Sequence, residues 1–422
     1  MTLIKTSILT TISTLIKILS GFVIVKVIAV YAGPTGLALM GQLQNLLSVV
    51  TTFGQGATST GVVKYLAEYR EDEETKKRLI STAFKISLWV TLFISLILLL
   101  GANFWSSILF DTYEYTYVII VLAFTLLFFV LNTLFLAILN GHKEIKKFVL
   151  SNISGSLVSL VITSFLAIYY GVFGALLALT INQSLVFFVT LFFVVKSPWF
   201  QSSLFLVPID KEYLIKLGKF ALMALTSALL VPVSQMVVRN YIGEHLSWTE
   251  AGYWQGVWRI SETYLMLITM TLSVYYLPRL SELQKKSEIR KELLYGLKII
   301  MPIVVLMAMT IFLLKDWVVA LLFTEDFAPM KELFLWQLIG DVIKILSWLI
   351  AYQMLAKAMT KLFIFSEIFF VSTFVILNIL CIDMYGLVGT TYAFALNYLL
   401  YLLFVIWKFR TVLFYSGNSL SR

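Results

Sequence analysis

The sequence predicts an all-α integral membrane protein with twelve transmembrane helices in two six-helix lobes. The 422-residue chain is 60% hydrophobic and only 13% charged, and its mean hydropathy is +0.92. Apolar runs long enough to cross a bilayer, about 20 residues each, recur along the whole length. Because these runs are continuous rather than alternating, they favour helices over the strands of a membrane β-barrel.

The hydrophobic runs give the elements in order. The first run follows Lys5 and is too long for the apolar core of a signal peptide, so we expect it to remain in the protein as a span. The later runs leave no room for a soluble domain between them. The twelve predicted segments are 8–31, 36–60, 81–101, 116–139, 148–169, 174–195, 219–241, 251–277, 299–314, 333–354, 362–382 and 386–407.

The loops between these segments predict the orientation. Of the 32 basic residues, 24 fall in one set of loops, and only Lys315 and Lys331 fall in the opposite set. Because basic loops are retained in the cytoplasm, both termini are expected there. The net charge of +9 is therefore a topology signal, and no nucleic-acid partner is expected.

The order of long and short loops predicts an internal repeat. The charged loops 65–78 and 278–298 read as short helices after spans two and eight, and a gapless alignment places Gly41 on Gly256. Six spans per half is an even number, so the halves form a parallel repeat with a central cavity between them. The predicted division is an N-lobe at 1–195, a cytoplasmic linker at 196–218, a C-lobe at 219–410 and a cytoplasmic tail at 411–422.

The sequence lacks the motifs of an enzyme. It has a single cysteine, Cys381, and two histidines that lie alone in loops, His142 and His245. It contains no glycine-rich nucleotide loop, no paired cysteines and no nucleophile elbow. We therefore predict a protein that is not an enzyme and that uses no metal or cofactor.

Ionisable residues inside the spans are the candidate functional residues, because each costs about 2.5–3.5 kcal/mol to insert at the bilayer centre. Lys17 lies near the middle of span one with no acid three or four residues away, so it must face protein or a hydrated cavity. Lys26 and Arg239 lie near the outer ends of their spans and either reach the interface or border the cavity. We expect Lys85 and Glu367 to reach water.

Lys17 and Lys26 are nine residues apart, which places them about 180° apart around an ideal helix. They can point into one cleft only if span one bends, and Ser20 and Gly21 permit such a bend. The spans hold six basic residues and three acids. This excess of positive charge favours an anionic substrate.

Two charge pairs are spaced so that the partners share a helix face. Arg259 and Glu262 lie three residues apart on span eight, and Asp341 and Lys344 do so on span ten. Each pair is either a structural ion pair or part of a charged strip that faces water. In the second case, protonation of Asp341 would free Lys344 to bind an anion.

Uncharged polar residues also lie within the spans. Such residues either join helices by hydrogen bonds or contact a ligand. The candidates for ligand contact are Gln42, Gln255 and Gln337.

Four stretches resemble the O-antigen translocase and lipid III flippase family of polysaccharide flippases. The similarity extends over about residues 1–410. The stretches are KVIAVYAGPTGLALMGQLQNLLSVV (26–50), KFALMALTSALLVPVSQMVVRNYIGEHLSW (219–248), GYWQGVWRISETYLMLITMTLSVYYLPRLSEL (252–283) and LFLWQLIGDVIKILSW (333–348).

The resemblance implies the multidrug/oligosaccharidyl-lipid/polysaccharide exporter fold. It also implies a substrate, an undecaprenyl-pyrophosphate-linked oligosaccharide that is either an O-antigen repeat unit or lipid III. The direction implied is from the cytoplasmic to the periplasmic leaflet of the inner membrane of a Gram-negative bacterium, by alternating access. Membrane lipid would surround the protein, and a polysaccharide polymerase with a chain-length regulator is a candidate partner complex.

The resemblance also suggests roles for residues. Lys17, Lys26, Arg239 and Lys344 would bind the pyrophosphate, and Arg259 would act at the sugar end. Gln42, Gln255 and Gln337 would contact the head group. Asp341 and Glu262 would balance charge or couple transport to a proton or a sodium ion.

Two other functions remain open from the sequence. A multidrug exporter of the same fold would need an acidic cavity for cationic drugs, whereas the span charges here are net basic. A membrane enzyme acting on prenyl phosphates would be expected to carry a large periplasmic loop with catalytic residues. The longest loop on that side, about 315–332, is modest.

Overall fold

The computed structural model describes residues 3–56, 59–69, 72–201 and 207–414, and within these ranges the regular structure is helical, with no strand. The prediction of an all-helical chain is confirmed. The first eight helices are α1 (Leu3–Tyr31), α2 (Gly33–Gly54), α3 (Ser59–Glu68), α4 (Glu73–Leu100), α5 (Ala102–Phe110), α6 (Thr116–Gly141), α7 (Ile145–Val195) and α8 (Lys211–His245). The remainder are α9 (Trp248–Thr271), α10 (Leu277–Glu282), α11 (Lys286–Leu313), α12 (Lys315–Leu322), α13 (Phe334–Ala356), α14 (Thr360–Tyr385), α15 (Gly389–Lys408) and α16 (Arg410–Leu413).

Seven helical stretches of the described residues are long and apolar enough to cross a membrane. Two of them, Ile145–Val195 and Thr360–Lys408, each contain two of the predicted segments. The predicted segments at 36–60, 219–241 and 251–277 lie outside the seven and coincide largely with α2, α8 and α9. These three helices carry many of the polar candidate residues, which lowers their hydropathy. The protein is thus a multi-pass membrane protein, and the count of twelve stays a prediction.

The chain packs as two compact units, Met1–Met236 and Val237–Arg422. One core of the first unit joins α3, α4, α6 and the end of α7, with Leu66, Leu79 and Ile138 fully buried. Cores of the second unit join α9, α11 and α13, and α13, α14 and α15. The predicted lobe boundaries at 196–218 stay a prediction.

Backbone features recur in the two units at one spacing. Gly171 interrupts α7 with φ of 55°, and Gly386 separates α14 from α15 with φ of 62°. Both need the left-handed conformation that glycine adopts without strain. Lys143 and Ala358, before α7 and α14, also have positive φ, at 57° and 50°. Each pair is 215 residues apart, which is the spacing of the Gly41 and Gly256 alignment.

The charged loop helices differ from the prediction. Residues 65–78 do not form one helix, because α3 ends at Glu68 and α4 begins at Glu73, where Asp72 caps the helix by accepting from the Thr75 amide at 3.0 Å. The 278–298 loop likewise contributes most of the short helix α10 and the first turns of α11. The charged residues are therefore divided between the short helices α3 and α10 and the first turns of the long helices α4 and α11.

The segment after α7 is held against the first unit. Lys85 was expected to reach water but donates to the Val207 carbonyl at 2.8 Å, and Ser81 donates to the same oxygen. The indole ring of Trp199 stacks on His142 at 4.3 Å and 3°. Through these contacts Trp199, in the first part of the predicted linker, packs on the turn after α6. Val207, shortly before α8, is bonded to α4.

Candidate functional site

One face of α13 carries the polar residues of span ten. Gln337, Asp341 and Lys344 are spaced by four and three residues, so their side chains lie on the same face. Gln337 and Asp341 are buried, with 1% and 0% of their surface exposed. A carboxylate buried this completely requires hydrogen-bond donors or a positive charge nearby.

Hydrogen-bond donors surround the Asp341 carboxylate. The Tyr264 hydroxyl of α9 donates to Oδ2 at 2.8 Å, and Ser261 and Gln337 also lie beside the group. Among the described residues, Oδ1 has no hydrogen-bond partner, and neither do the Ser261 hydroxyl and the Gln337 amide nitrogen. The carboxylate therefore has one hydrogen bond of good geometry, from Tyr264, and two further donors beside it.

Lys344 lies among aromatic rings instead of forming an ion pair with Asp341. Its ammonium is 4.9 Å from the centre of the Trp348 ring, 5.7 Å from Tyr398 and 6.0 Å from Phe394. In the described part of the chain, no ion pair within 4.0 Å joins Lys344 to Asp341. Aromatic faces attract a cation without neutralising it, and the negative charges of Asp341 and Glu262 also act on Lys344.

The other spaced pair forms a loose ion pair. Arg259 Nη1 is 3.9 Å from Glu262 Oε2, and the two side chains are 38% and 49% exposed. The indole nitrogen of Trp258 donates to Glu262 Oε1 at 3.0 Å. A half-exposed ion pair in the middle of α9 would be costly against lipid, so we expect this face of α9 to border a polar environment.

Arg239 is almost fully buried in the second unit, with 1% of its surface exposed. It donates to the Gln255 side-chain oxygen on α9, and its guanidinium lies 5.3 Å from the Trp254 ring. The negative charge of Glu262 acts on both Arg239 and Lys344. Glu262 is thus the shared counter-charge of three basic residues.

In the first unit, Lys17 is exposed on α1. Leu15 and Leu19, which are 53% and 62% exposed, lie about 160° around the helix from it. Lys17 therefore points away from the apolar exposed surface of α1. Gly21 shares the Lys17 face, and a Cβ added there would have no neighbour within 4 Å. Lys17 and Gly21 face open space on the side away from this apolar surface.

The remaining candidates in the first unit differ in exposure. Lys26 is half-buried, and α1 runs continuously from Leu3 to Tyr31 past it. Gln42 is fully buried, and its side-chain nitrogen donates to the Met236 carbonyl at 3.3 Å. Gln42 therefore joins helices in this structure rather than lining an open surface.

The structure brings most of the predicted residues of the second unit together. Arg239, Gln255, Arg259, Glu262, Gln337, Asp341 and Lys344 form one cluster through α8, α9 and α13. The charge and spacing of these residues were visible in the sequence, but their partners were missed. Trp258 and Trp348 each lie four residues from a charged candidate, Glu262 and Lys344, and this helical spacing could have found them. Tyr264 has no such spacing to a charged candidate, and its contact with Asp341 comes from the packing of α9 on α13.

Comparison with known proteins shows the family to which the chain belongs. Residues 40–332 match the family described as polysaccharide biosynthesis protein. The chain is 32% identical to the lipid III flippase of Escherichia coli (strain K12) over 419 residues, covering 97% of this chain and all of that protein. The chain belongs to this family of polysaccharide flippases. The lipid III flippase of Shigella flexneri matches with the same identity and coverage.

Solved structures show that the chain has the fold of the family and of related transporters. An inward-facing multidrug resistance MATE family transporter of the MOP superfamily superposes with a TM-score of 0.81 at 15% identity, covering 96% of each chain. The lipid II flippase MurJ in an inward closed conformation superposes with a TM-score of 0.75 at 16% identity, over 97% of this chain and 88% of that one. The family relatives are named as flippases, which confirms the prediction of a non-enzyme.

Proposed function

We propose that the protein moves an undecaprenyl-pyrophosphate-linked oligosaccharide, either an O-antigen repeat unit or lipid III, from the cytoplasmic to the periplasmic leaflet. The observation that carries this proposal is the excess of positive charge at membrane depth. Three basic residues, Arg239, Arg259 and Lys344, lie around the carboxylates Glu262 and Asp341, and Lys17 is exposed away from the apolar surface of α1. A pyrophosphate is the anion that such groups would bind in place of its water shell.

In this proposal, Lys17, Lys26, Arg239 and Lys344 bind the pyrophosphate, with Gln255 and Gln337 beside them. Arg259 acts at the sugar end. Gln42 is reassigned to helix packing, because its amide is buried and bonded to the backbone of Met236. The prenyl tail stays in lipid, so only the head group crosses the hydrocarbon.

The driving force is proposed to be a proton that titrates Asp341. Tyr264, Ser261 and Gln337 offer hydrogen bonds to this carboxylate, and the positive charge of Lys344 acts on it. A second fixed cation such as sodium is disfavoured beside that ammonium, whereas a proton needs no further ligands. Protonation removes the negative charge near Lys344 and strengthens its attraction for the pyrophosphate, and deprotonation weakens it.

The remaining features of the proposal concern the whole protein. Twelve spans form two six-helix lobes, both termini lie in the cytoplasm, and the lobes alternate access to the two leaflets. The location is the inner membrane of a Gram-negative bacterium. A polysaccharide polymerase and a chain-length regulator would receive the product on the periplasmic side.

Complementation tests this function. A strain that lacks its lipid III flippase, and a second strain that lacks its O-antigen translocase, receive the gene on a plasmid. Restored surface polysaccharide in one strain identifies the substrate class. Increased resistance to cationic drugs without restored polysaccharide in either strain would instead indicate a multidrug exporter.

A further inference from the structure

We propose that Trp258 is the stacking platform for a sugar ring of the transported head group, and that Arg259 and Glu262 receive the hydroxyl groups of that sugar. This inference rests on the proposed function and names a contact of the same site. It assigns a role to a residue that was not among the candidates predicted from the sequence.

The position of Trp258 is the first part of the argument. It lies one residue from Arg259 and four from Glu262, on the face of α9 where the ion pair is 38% and 49% exposed. Trp258 itself is partly exposed. Because charged groups so exposed at membrane depth must border water, the indole lies at the edge of a hydrated space and not against lipid.

The orientation of the indole is the second part. Its ring nitrogen donates to Glu262 at 3.0 Å, which fixes the edge of the ring on a charged group. Trp254, Phe394 and Phe374 surround the ring with centroids at 5.4, 5.3 and 6.2 Å, at interplanar angles of 53°, 74° and 57°. None of the three is parallel to the indole, so none stacks on it face to face.

These features match the chemistry of a pyranose. Such a ring has a face of C–H groups with slight positive charge, which is attracted to the negative face of an aromatic ring. Its hydroxyl groups both donate and accept hydrogen bonds, so a carboxylate and a guanidinium beside the platform suit them. The neighbouring basic residues Arg239 and Lys344 would hold the pyrophosphate at the same time.

The test compares two lipids in proteoliposomes. The first is the lipid-linked oligosaccharide that accumulates in host cells lacking the protein, and the second is undecaprenyl pyrophosphate without sugar. Trp258→Leu removes the aromatic face and Trp258→Phe keeps part of it. Trp89→Leu is the matched control, because Trp89 is 66% exposed on α4 and outside this cluster.

We expect Trp258→Leu to raise the KM for the glycolipid about three- to tenfold, the range expected for one aromatic contact, while handling of the sugar-free lipid is unchanged. Trp258→Phe should recover part of the loss, and Trp89→Leu should behave as the parent protein. An unchanged KM, or an equal loss for both lipids, would overturn the inference. Failure of the parent protein to move the glycolipid would instead contradict the proposed function.

A second measurement follows binding in the parent sequence and needs one variant only to assign a signal. Fluorine NMR of 5-fluorotryptophan-labelled protein, with the Trp258 signal assigned by Trp258→Phe, reports on this ring alone. The glycolipid should shift the Trp258 signal, and undecaprenyl pyrophosphate should leave it in place. Equal shifts with both lipids would contradict a sugar contact.

Discussion

Lys17 shows most directly how a single side chain links the sequence to transport. Its charge would be expensive in hydrocarbon, and the structure places it on the face of α1 opposite the exposed residues Leu15 and Leu19. In the proposed function, a lysine in this position binds the anionic head group. If it served only packing, it would be buried against a partner.

Replacing Lys17 tests this role. Lys17→Ala should abolish polysaccharide export, while the amount of protein in the membrane stays near normal. The loss of one charged contact alone corresponds to a decrease of at least about tenfold. Lys17→Arg should retain part of the activity, and the loop variant Lys315→Ala is the control. Loss of the protein itself from the membrane would show a structural role for Lys17.

Replacing Asp341 tests whether this carboxylate couples transport to protons. Asp341→Asn keeps the size of the side chain and removes the titration, so transport should no longer respond to an imposed pH gradient. Asp341→Glu should retain some response. Transport is measured in proteoliposomes at a fixed membrane potential with the gradient inward, outward or absent. A pH response equal to that of the parent protein would leave Asp341 with a structural role alone.

The charged residues were predictable from the sequence, because a charge at membrane depth is conspicuous in an apolar run. Their neighbours were not predictable in the same way. Lys344 has Asp341 three residues away in sequence, yet its ammonium also lies 5.7 and 6.0 Å from the rings of Tyr398 and Phe394 on another helix, α15. Spacing on a helix shows which residues share a face, but rotamers and adjacent helices decide which of them touch.

The helix α1 offers a test of open space that involves no charge. Gly21 lies one turn from Lys17 on the same face, and an added Cβ meets nothing within 4 Å. Gly21→Trp should therefore fold normally but obstruct the space beside Lys17, and export should fall. Val23→Trp is the matched control and should remain active, because Val23 is 48% exposed on another face of the same helix. Equal activity of both variants would show that the space beside Lys17 carries no substrate.

The turn between α6 and α7 gives a pH-dependent prediction. Burial and the charge of Lys76 lower the pKa of His142 to about 4, with the Trp199 ring stacked on it. An unfolded histidine has a pKa of about 6.5. As the pH falls from about 6.5 towards 4, the unfolded chain takes up a proton that the folded protein does not, so the free energy of unfolding falls.

Two measurements check this. In a His245→Gln background, His142 is the sole histidine, and its NMR titration should have a midpoint near 4. The melting temperature of the parent protein should fall between pH 7 and pH 5 by more than that of His142→Gln. A midpoint near 6.5 would mean that Trp199 does not shield the ring.

The order and type of the elements followed from hydropathy, but the kinks and breaks between helices did not. Each predicted apolar run lies largely in a helix, because a helix satisfies the backbone groups of its own segment in lipid. The kink of α7 at Gly171, and the break between α3 and α4 before Asp72, depend on single dihedral angles and caps. Such features are decided by packing that hydropathy does not record.

For the whole chain, the recurrence of backbone features at a spacing of 215 residues supports a duplicated architecture. The two copies have diverged in charge. Asp341 and Lys344 correspond at this spacing to Leu126 and Phe129 in the first unit, so the acid proposed to couple transport has no counterpart there. The loop order predicts the duplication, and the missing counterparts of Asp341 and Lys344 follow from the same spacing in the sequence.

The most direct test of the central claim is leaflet transfer in proteoliposomes that contain only this protein. Radiolabelled lipid-linked oligosaccharide is placed in one leaflet, and its exposure in the other is followed with a glycan-cleaving enzyme outside the vesicles. We predict rapid transfer by the parent protein, none above protein-free vesicles by Lys17→Ala, and an unchanged glycan length. Transfer at the rate of protein-free vesicles, or a lengthened glycan, would contradict a flippase that carries an anionic head group past basic side chains.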